Sequence, residues 1–359
     1  MQAVTFQTLV FCFLILVSSA ASAQEFPNLK AKIKEVLERQ QVPGASVAIA
    51  INDQVVWAEG IGISDLESKQ EVTRNTLFQA ASISKPVASA GALKLVDDGK
   101  LDLDKPVSEF LSSWKIKGAS SITLRQLLSH SSGLAVHGFA GYREGAPIPT
   151  LTQILSGNPP ANSPPIQPAS KQGRFQYSGG GYCVVQQIVE DTTGTEFSNA
   201  MNSMVLIPLD MTNSTFAYPL PHDFMRRTAA GHDASARVIP GKRNVYPEKA
   251  AAGLWTTASD LAKFAVAIQQ SNAGRKKSFL SKNTVTQMLT SQSVGGPGLG
   301  LFVEGDNRSG TFEHGGVNNG FTSLLRATKS PGAVLVIMTN SDNGGKVFGE
   351  IEQLVRESK

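Results

Sequence analysis

Cysteine and net charge are both scarce in this sequence. Only two cysteines occur among 359 residues, which excludes a disulfide scaffold and a zinc site built from thiolates. Lys and Arg number 33 against 29 for Asp and Glu, giving a formal net charge of +4. The basic residues form no long run, so the concentrated basic surface of a nucleic-acid-binding protein is missing and no such partner is expected.

The motifs of several common enzyme classes are also missing. The sequence has no G-x-S-x-G nucleophile elbow, no phosphate-binding P-loop and no dinucleotide fingerprint. It shows no fixed-period repeat, and its histidines lack the spacing of metal ligands, so neither a metal nor a cofactor is expected. What is present is 41% hydrophobic against 17% charged residues, enough apolar content for a sizeable core and too little charge for a disordered chain.

Long hydrophobic runs are lacking as well. The apolar run Leu9–Val17 has nine residues, whereas a bilayer span needs about 20. An Ala-x-Ala site at Ala21–Ala23 follows it, which predicts a secretory signal peptide over residues 1–23; a buried N-terminal helix is the alternative. We therefore expect an exported protein, periplasmic or secreted, cleaved near Ala23 and Gln24, with no membrane span in the mature chain.

Strand and helix patterns divide the rest of the chain into two kinds of segment. Strand-like runs occur near both ends of the chain, at 45–51, 55–57, 300–303, 321–328 and 333–339. Interrupted helical spacing dominates from about 82 to 207 and is clearest at 87–96, 124–128 and 183–190, and a last helical run lies at 347–355. Strands at both ends can share one antiparallel sheet, flanked by the first and last helices. The sequence thus predicts an α+β fold, with an α/β part at 24–75 and 285–359 and a mostly helical lobe inserted at 76–284.

A Ser-x-x-Lys motif at residues 82–85 precedes a helical run at 87–96. Residues i and i+3 share one face of a helix, so the Ser82 hydroxyl and the Lys85 amine can meet. A serine is a weak nucleophile until a base takes its proton, and a neutral lysine is one such base. A second Ser-x-x-Lys at 112–115 has no helix after it, so the motif alone leaves an accidental helix start as an alternative.

Two glycine-rich segments lie further along the chain. Three glycines at 179–181 follow Tyr177 and Ser178, and a tyrosine beside a cation can accept and return a proton. Gly315 and Gly316 follow His314, and a substrate can lie along such a backbone, with a strand N–H pointing at an oxyanion. Taken singly, each segment could equally be a plain turn.

In this order, the three motifs resemble the serine β-lactamase and penicillin-binding protein superfamily. Two further segments place the resemblance in the class C-like branch, which includes class C β-lactamases, D-alanyl-D-alanine carboxypeptidases and family VIII esterases. LLSHSSGL at 127–134 is similar to that branch's LLTHTSGL, and GLWTTASDL at 253–261 is similar to its GGLWSTASDLA. The resemblance covers about residues 42–339 and implies a β-lactamase/transpeptidase-like fold.

The resemblance also implies roles for individual residues. Ser82 would be the acylated nucleophile, and Lys85 and Tyr177 would form the proton-transfer pair. The backbone N–H groups of Ser82 and Val317 would form the oxyanion hole, a contribution typically worth ~3–4 kcal/mol. The implied reaction is acyl transfer from a small-molecule ester, amide or peptide to water, without a metal.

Two departures from the family pattern concern substrate binding. Gly179 stands where the tyrosine motif commonly has Asn, whose amide holds the substrate's amide. His314, Gly315 and Gly316 replace the common Lys-Thr-Gly, whose lysine and threonine hold a substrate carboxylate. Losing a charge-assisted hydrogen bond costs roughly 1.5–3 kcal/mol. We therefore expect weak β-lactamase activity at best and a preference for small esters or uncharged amides.

Two alternatives stay open at this point. The first is a D,D-carboxypeptidase or β-lactamase acting on cell-wall-like peptides and β-lactams. The second is a binding protein that recognises a penicillin or a cell-wall fragment without turning it over. The presence of Ser82, Lys85 and Tyr177 favours turnover, whereas the missing Asn and Lys-Thr-Gly leave room for a degenerate site.

Overall fold

The structure is a computed structural model, and it describes residues 26–118, 121–293, 296–306 and 309–358. The predicted signal peptide lies outside the described residues. No helix in the described part of the chain is long and apolar enough to cross a membrane.

The described residues form eleven α-helices and eleven β-strands, several of them very short. The helices are α1 Leu29–Arg39, α2 Ser84–Asp97, α3 Leu124–Leu128, α4 Leu151–Ser156, α5 Gly179–Thr193, α6 Phe197–Met201, α7 His222–Met225, α8 Lys249–Ala252, α9 Ala258–Asn272, α10 Lys282–Met288 and α11 Phe348–Glu357. The strands are β1 Gly44–Ile51, β2 Gln54–Asp65, β3 Gln70–Glu71, β4 Phe78–Gln79, β5 Tyr142–Arg143, β6 Asn244–Val245, β7 Trp255–Thr256, β8 Phe302–Glu304, β9 Thr311–Asn318, β10 Phe321–Thr328 and β11 Ala333–Thr339.

Strands from both parts of the chain share one antiparallel sheet, as the sequence predicted. The strand order is β3-β2-β1-β11-β10-β9-β8, so β1 near the start pairs with β11 near the end, and Val47 lies opposite Ile337. The pairing of these two strands confirms the predicted fold class. On the far side of β11 and β10, strand β9 lies next to the edge strand β8 and contacts the inserted residues at Ala81–Ile83.

The two faces of β1 enter different cores, which follows from the two-residue period of a strand. Val47 and Ile49 pack with α1 and α11 on one side of the sheet, whereas Ala48 and Ala50 face the larger core on the other side. The buried residues of α1 recur at helical spacing and are Leu29, Ile33, Val36 and Leu37.

The larger core joins the sheet to the helical lobe. Helix α9 lies inside the range 76–284 that we assigned to the lobe, yet it packs across β1, β2, β10 and β11. Its fully buried Leu261 and Phe264 belong to the same cluster as Leu325 of the sheet. The sheet therefore lies between a terminal helix layer and a layer led by α9, and the residue limits of the two parts stay a prediction.

Two elements of the candidate site differ from the expectation from periodicity. Helix α5 begins at Gly179 instead of Cys183, because the Ser178 hydroxyl accepts a hydrogen bond from the Gly181 N–H (3.0 Å) and caps its first turn. Residues 311–318, whose glycines interrupt any apolar alternation, form strand β9. Both glycine motifs are therefore held in regular structure.

Candidate active site

Ser82 and Lys85 lie at the start of α2, on the face that the sequence predicted. A single 3-10 turn over Ala81–Ile83 carries Ser82 into the helix, and Lys85 Nζ donates a hydrogen bond to Ser82 Oγ at 3.0 Å. Ala81 has a φ of 50°, a left-handed conformation that costs about 1–3 kcal/mol in a residue with a side chain. The protein thus holds the serine beside the amine with a strained backbone residue next to it.

Lys85 is almost fully shielded from solvent, being 2% exposed. Its amine also donates to the Ala251 carbonyl of α8 at 2.8 Å, which fixes the side chain between two elements 166 residues apart. Ala251 was missed by sequence reasoning, since a backbone acceptor leaves no signal in residue type. It lies two residues before the GLWTTASDL segment.

The structure brings Tyr177 to the same place. Lys85 Nζ lies 5.0 Å from the centre of the Tyr177 ring, within the range in which a cation is attracted to an aromatic face. Gly179 follows at the first position of α5 and is buried. A Cβ on this residue would lie only 3.0 Å from the His137 carbonyl oxygen. In this structure Gly179 allows α5 to approach the segment at His137, and its predicted role in substrate binding stays a prediction.

Strand β9 forms the wall opposite α2. A Cβ on Gly316 would lie 2.3 Å from the Ala80 carbonyl oxygen and 3.0 Å from the Ser82 nitrogen, so only glycine lets the strand approach the nucleophile this closely. The Ser323 hydroxyl of the neighbouring strand β10 donates to the same Ala80 carbonyl at 2.8 Å. Val317 follows and is 72% exposed. Its N–H and that of Ser82 stay our prediction for the oxyanion hole.

A second contact ties β9 to the segments that hold Ser82 and Lys85. The side-chain amide of Asn318 donates to the Gln79 side-chain oxygen at 2.7 Å and to the Ala252 carbonyl at 3.1 Å. Gln79 lies three residues before Ser82, and Ala252 adjoins Ala251. One buried amide therefore joins the three segments around the site.

His314 lies buried in β9, 2% exposed. Its Nδ1 is 2.6 Å from the Gly315 carbonyl oxygen, and because a carbonyl only accepts, that nitrogen carries the hydrogen. Burial and the nearby charge of Lys85 lower the pKa of His314 to about 3. The ring is therefore neutral at pH 7 and supplies no cation for a substrate carboxylate.

Aromatic rings surround Tyr177. The His130 ring stacks on it at 4.2 Å between centroids, and Phe175 contacts both the His130 ring (6.3 Å) and the Phe302 ring (6.1 Å). Phe302 in turn lies 5.5 Å from His314. Phe175 is 41% exposed, so the site has an apolar, aromatic rim.

The remaining chemistry-bearing residues lie elsewhere or are fully enclosed. Ser112 and Ser113 of the second Ser-x-x-Lys motif are exposed in a loop, where their N–H groups donate to Asp191. Cys183 is buried, and burial raises the pKa of its thiol. Among the described residues, no three side chains of the metal-binding types His, Cys, Asp and Glu form a candidate metal cluster.

Comparisons with known proteins agree with this geometry. A family model described as Beta-lactamase matches residues 29–358. Esterase EstB of Burkholderia gladioli is 25% identical over 334 residues, covering 80% of this chain and 83% of that protein. Protein flp of Staphylococcus aureus (strain N315) is 24% identical over 329 residues, and the matched part is 86% of this chain but only 62% of flp. The structure of the octameric penicillin-binding protein homologue from Pyrococcus abyssi superposes with a TM-score of 0.73 at 26% identity, over 88% of this chain and 73% of that one.

The fold and the match together define a class, the serine hydrolases of β-lactamase fold. The match extends over nearly the whole described chain and includes every segment that forms the site. The chain belongs to the beta-lactamase family.

Proposed function

We propose that this protein is a serine hydrolase that cleaves small esters or uncharged amides through an acyl-enzyme on Ser82. The observation that carries the proposal is the 3.0 Å hydrogen bond from the buried Lys85 amine to the Ser82 hydroxyl. Ser82 itself is only partly buried, so its oxygen is open to a substrate while its partner is shielded from water. A nucleophile with a positioned partner of this kind is the arrangement that acyl transfer requires.

The proposed reaction has two steps, acylation of Ser82 and hydrolysis of the acyl-enzyme. Ser82 Oγ attacks the carbonyl carbon of the substrate, its proton passes to the Lys85–Tyr177 pair, and that proton leaves on the departing alcohol or amine. Water then attacks the acyl carbonyl, the same pair takes its proton, and the carboxylic acid leaves as Ser82 regains its hydrogen. The N–H groups of Ser82 and Val317 would stabilise the oxyanion in both steps.

The proposed substrate class rests on the residues of the third motif. The neutral His314 offers no positive charge, and Gly315 has no side chain to bind a carboxylate. The exposed Phe175 and its neighbour Phe302 offer apolar contacts to an uncharged acyl group. That a similar protein is called an esterase supports the same choice.

A comparison of two chromogenic substrates tests this proposal. We expect p-nitrophenyl butyrate to be hydrolysed at least tenfold faster than nitrocefin, which carries a carboxylate, because the missing charged contact costs about 1.5–3 kcal/mol. Ser82→Ala should abolish both activities, whereas Ser112→Ala, in the second Ser-x-x-Lys motif, should leave both unchanged. Equal turnover of the two substrates would contradict the substrate class, and activity that survives in Ser82→Ala would contradict the mechanism.

The proposal includes export, supported by the apolar run and the Ala-x-Ala site within residues 1–23. Expression of the full chain in a bacterial host should yield a protein in the extracytoplasmic fraction whose N-terminal residue is Gln24, as determined by mass spectrometry. A cytoplasmic protein that retains residues 1–23 would contradict export and leave the proposed reaction standing.

A further inference from the structure

His130 contacts the Tyr177 ring and both of the residues that flank Tyr177 in the chain. Its carbonyl accepts a hydrogen bond from the Gln176 N–H at 2.7 Å, and its Nδ1 accepts one from the Ser178 N–H at 3.1 Å. Its ring stacks on the Tyr177 ring at 4.2 Å with an angle of 24° between the planes. The residues before and after Tyr177 and the tyrosine ring itself are thus all held by one side chain and its backbone.

The backbone of His130 is adapted to this position. Its φ is 55°, which is uncommon for a residue other than glycine and is best tolerated by Asn, Asp and His. The residue is only 2% exposed and follows the Ser129 cap at the end of α3. A strained conformation that persists in a buried position beside a reacting group commonly has a functional reason.

The hydrogen bond to Ser178 requires a neutral ring. Nδ1 accepts only when it carries no hydrogen, so the hydrogen lies on Nε2. Burial, followed by the charge of Lys85, lowers the pKa of His130 well below its usual value. The acceptor at Nδ1 is therefore retained throughout the neutral pH range.

We propose that His130 is a positioning residue that holds Tyr177 in the geometry for proton transfer with Lys85. The proposal rests on the proposed function, since it gives Tyr177 a place in the reaction at Ser82. His130 itself touches neither the Ser82 hydroxyl nor the Lys85 amine by any hydrogen bond within the described residues. Its effect should therefore appear in the rate of the chemical step and leave substrate binding unchanged.

Two substitutions separate the hydrogen bond from the ring contact. In His130→Asn, Oδ1 occupies the place of Nδ1, and Asn tolerates the left-handed φ. In His130→Phe the stacked ring is kept and the acceptor is lost. His130→Ala removes both.

Because a displacement of about 1 Å can cost 100-fold in rate, we expect His130→Ala to lower kcat for p-nitrophenyl butyrate about 100-fold with KM nearly unchanged. His130→Asn should recover most of that loss and His130→Phe little of it.

Hydrogen exchange of the Ser178 amide gives a second measurement that does not depend on turnover. Exchange should be slow in the wild type and in His130→Asn, and fast in His130→Phe and His130→Ala. His232 supplies the matched control, because it is also buried and its Nδ1 also bonds a backbone group: it donates to the Asn340 carbonyl at 2.9 Å, whereas the Nδ1 of His130 accepts from an N–H. His232→Ala should lower the free energy of unfolding and leave kcat of the folded protein unchanged.

The outcomes distinguish this inference from the proposed function. Turnover in every His130 variant at the wild-type kcat overturns the inference and leaves the proposed function standing. Equal losses in the Asn, Phe and Ala variants, matched by the same loss in His232→Ala, also overturn it, since they show a general effect on stability. If wild-type Ser82 forms no acyl-enzyme, the proposed function fails and the positioning role fails with it. Should His130→Ala not fold, the Asn and Phe pair decides the question alone.

Discussion

Gly315 and Gly316 are adjacent residues with opposite tolerance of a side chain. A Cβ on Gly316 would lie 2.3 Å from the Ala80 carbonyl oxygen. A Cβ on Gly315 would have its nearest neighbour, the Ser323 carbonyl oxygen, at 3.7 Å. Gly316→Ala must therefore push β9 away from Ser82, and we expect acylation to slow about 100-fold. Gly315→Ala is the matched control and should stay within about threefold of the wild type. Equal rates in the two variants, measured with a fluorophosphonate, would contradict the placement of β9 against the nucleophile.

Because of His314, we expect the free energy of unfolding to decrease as the pH falls below neutral. Its pKa is about 3 in the folded state and about 6.5 in an unfolded chain. As the pH falls below 6.5, the unfolded chain takes up a proton that the folded protein refuses, so stability decreases through this window. Between pH 7 and pH 5 the loss from this residue should be about 2 kcal/mol.

Urea unfolding at both pH values measures this contribution. His314→Asn cannot titrate in this range, and its amide can still donate to the Gly315 carbonyl. The free energy of unfolding should fall less between pH 7 and pH 5 in the variant than in the wild type, by about 2 kcal/mol. The same pH dependence in both proteins would show that the buried ring is not kept neutral.

At the residue scale, the sequence predicted groups that are close in the chain better than groups brought together by folding. Ser82 and Lys85 are three residues apart, so helix geometry alone places them on one face. The Ala251 carbonyl that binds Lys85 lies 166 residues away, and its role depends on tertiary packing that residue type does not encode. The stacking of His130 on Tyr177 depends on packing in the same way.

At the scale of elements, a substitution in α11 tests whether the smaller core, which lies between the sheet and helices α1 and α11, can be weakened without affecting the site. Ile351 is fully buried against α1 and the sheet, so Ile351→Ala should lower the free energy of unfolding by about 2–5 kcal/mol. The sheet lies between this residue and Ser82, and the acylation rate of the folded variant should equal that of the wild type. Gln353→Ala, on the exposed side of the same helix, should change stability by no more than about 0.5 kcal/mol. A slower acylation in Ile351→Ala would contradict this separation.

Three elements with a regular apolar pattern were predicted at their observed bounds, whereas the glycine-rich start of α5 and strand β9 were not. Helix α3 and strands β10 and β11 begin and end where the pattern indicated. The first turn of α5 contains three glycines, which disfavour a helix locally, and the Ser178 cap together with burial of the turn overrides that preference. The two glycines of strand β9 obscure its strand pattern in the same way, and one of them, Gly316, allows the close approach to Ser82.

At the scale of the whole molecule, the site lies where the sheet meets the inserted helical lobe. Ser82 and Lys85 begin the first lobe helix, Tyr177 precedes the central one, and His314 comes from the sheet. Because strands from both ends of the chain pair in one sheet, as predicted, Ser82 and Gly316 become neighbours although they lie 234 positions apart. The sequence motifs identified the three contributing segments, and the pairing of β1 with β11 sets the frame that brings them together.

The intact mass of the protein after incubation with a fluorophosphonate tests the central claim most directly. We predict a single adduct on the wild type, located on Ser82 by peptide mapping, and no adduct on Ser82→Ala. An adduct that persists in Ser82→Ala, or a wild-type protein that stays unmodified, would contradict the claim that Lys85 and its neighbours activate this serine.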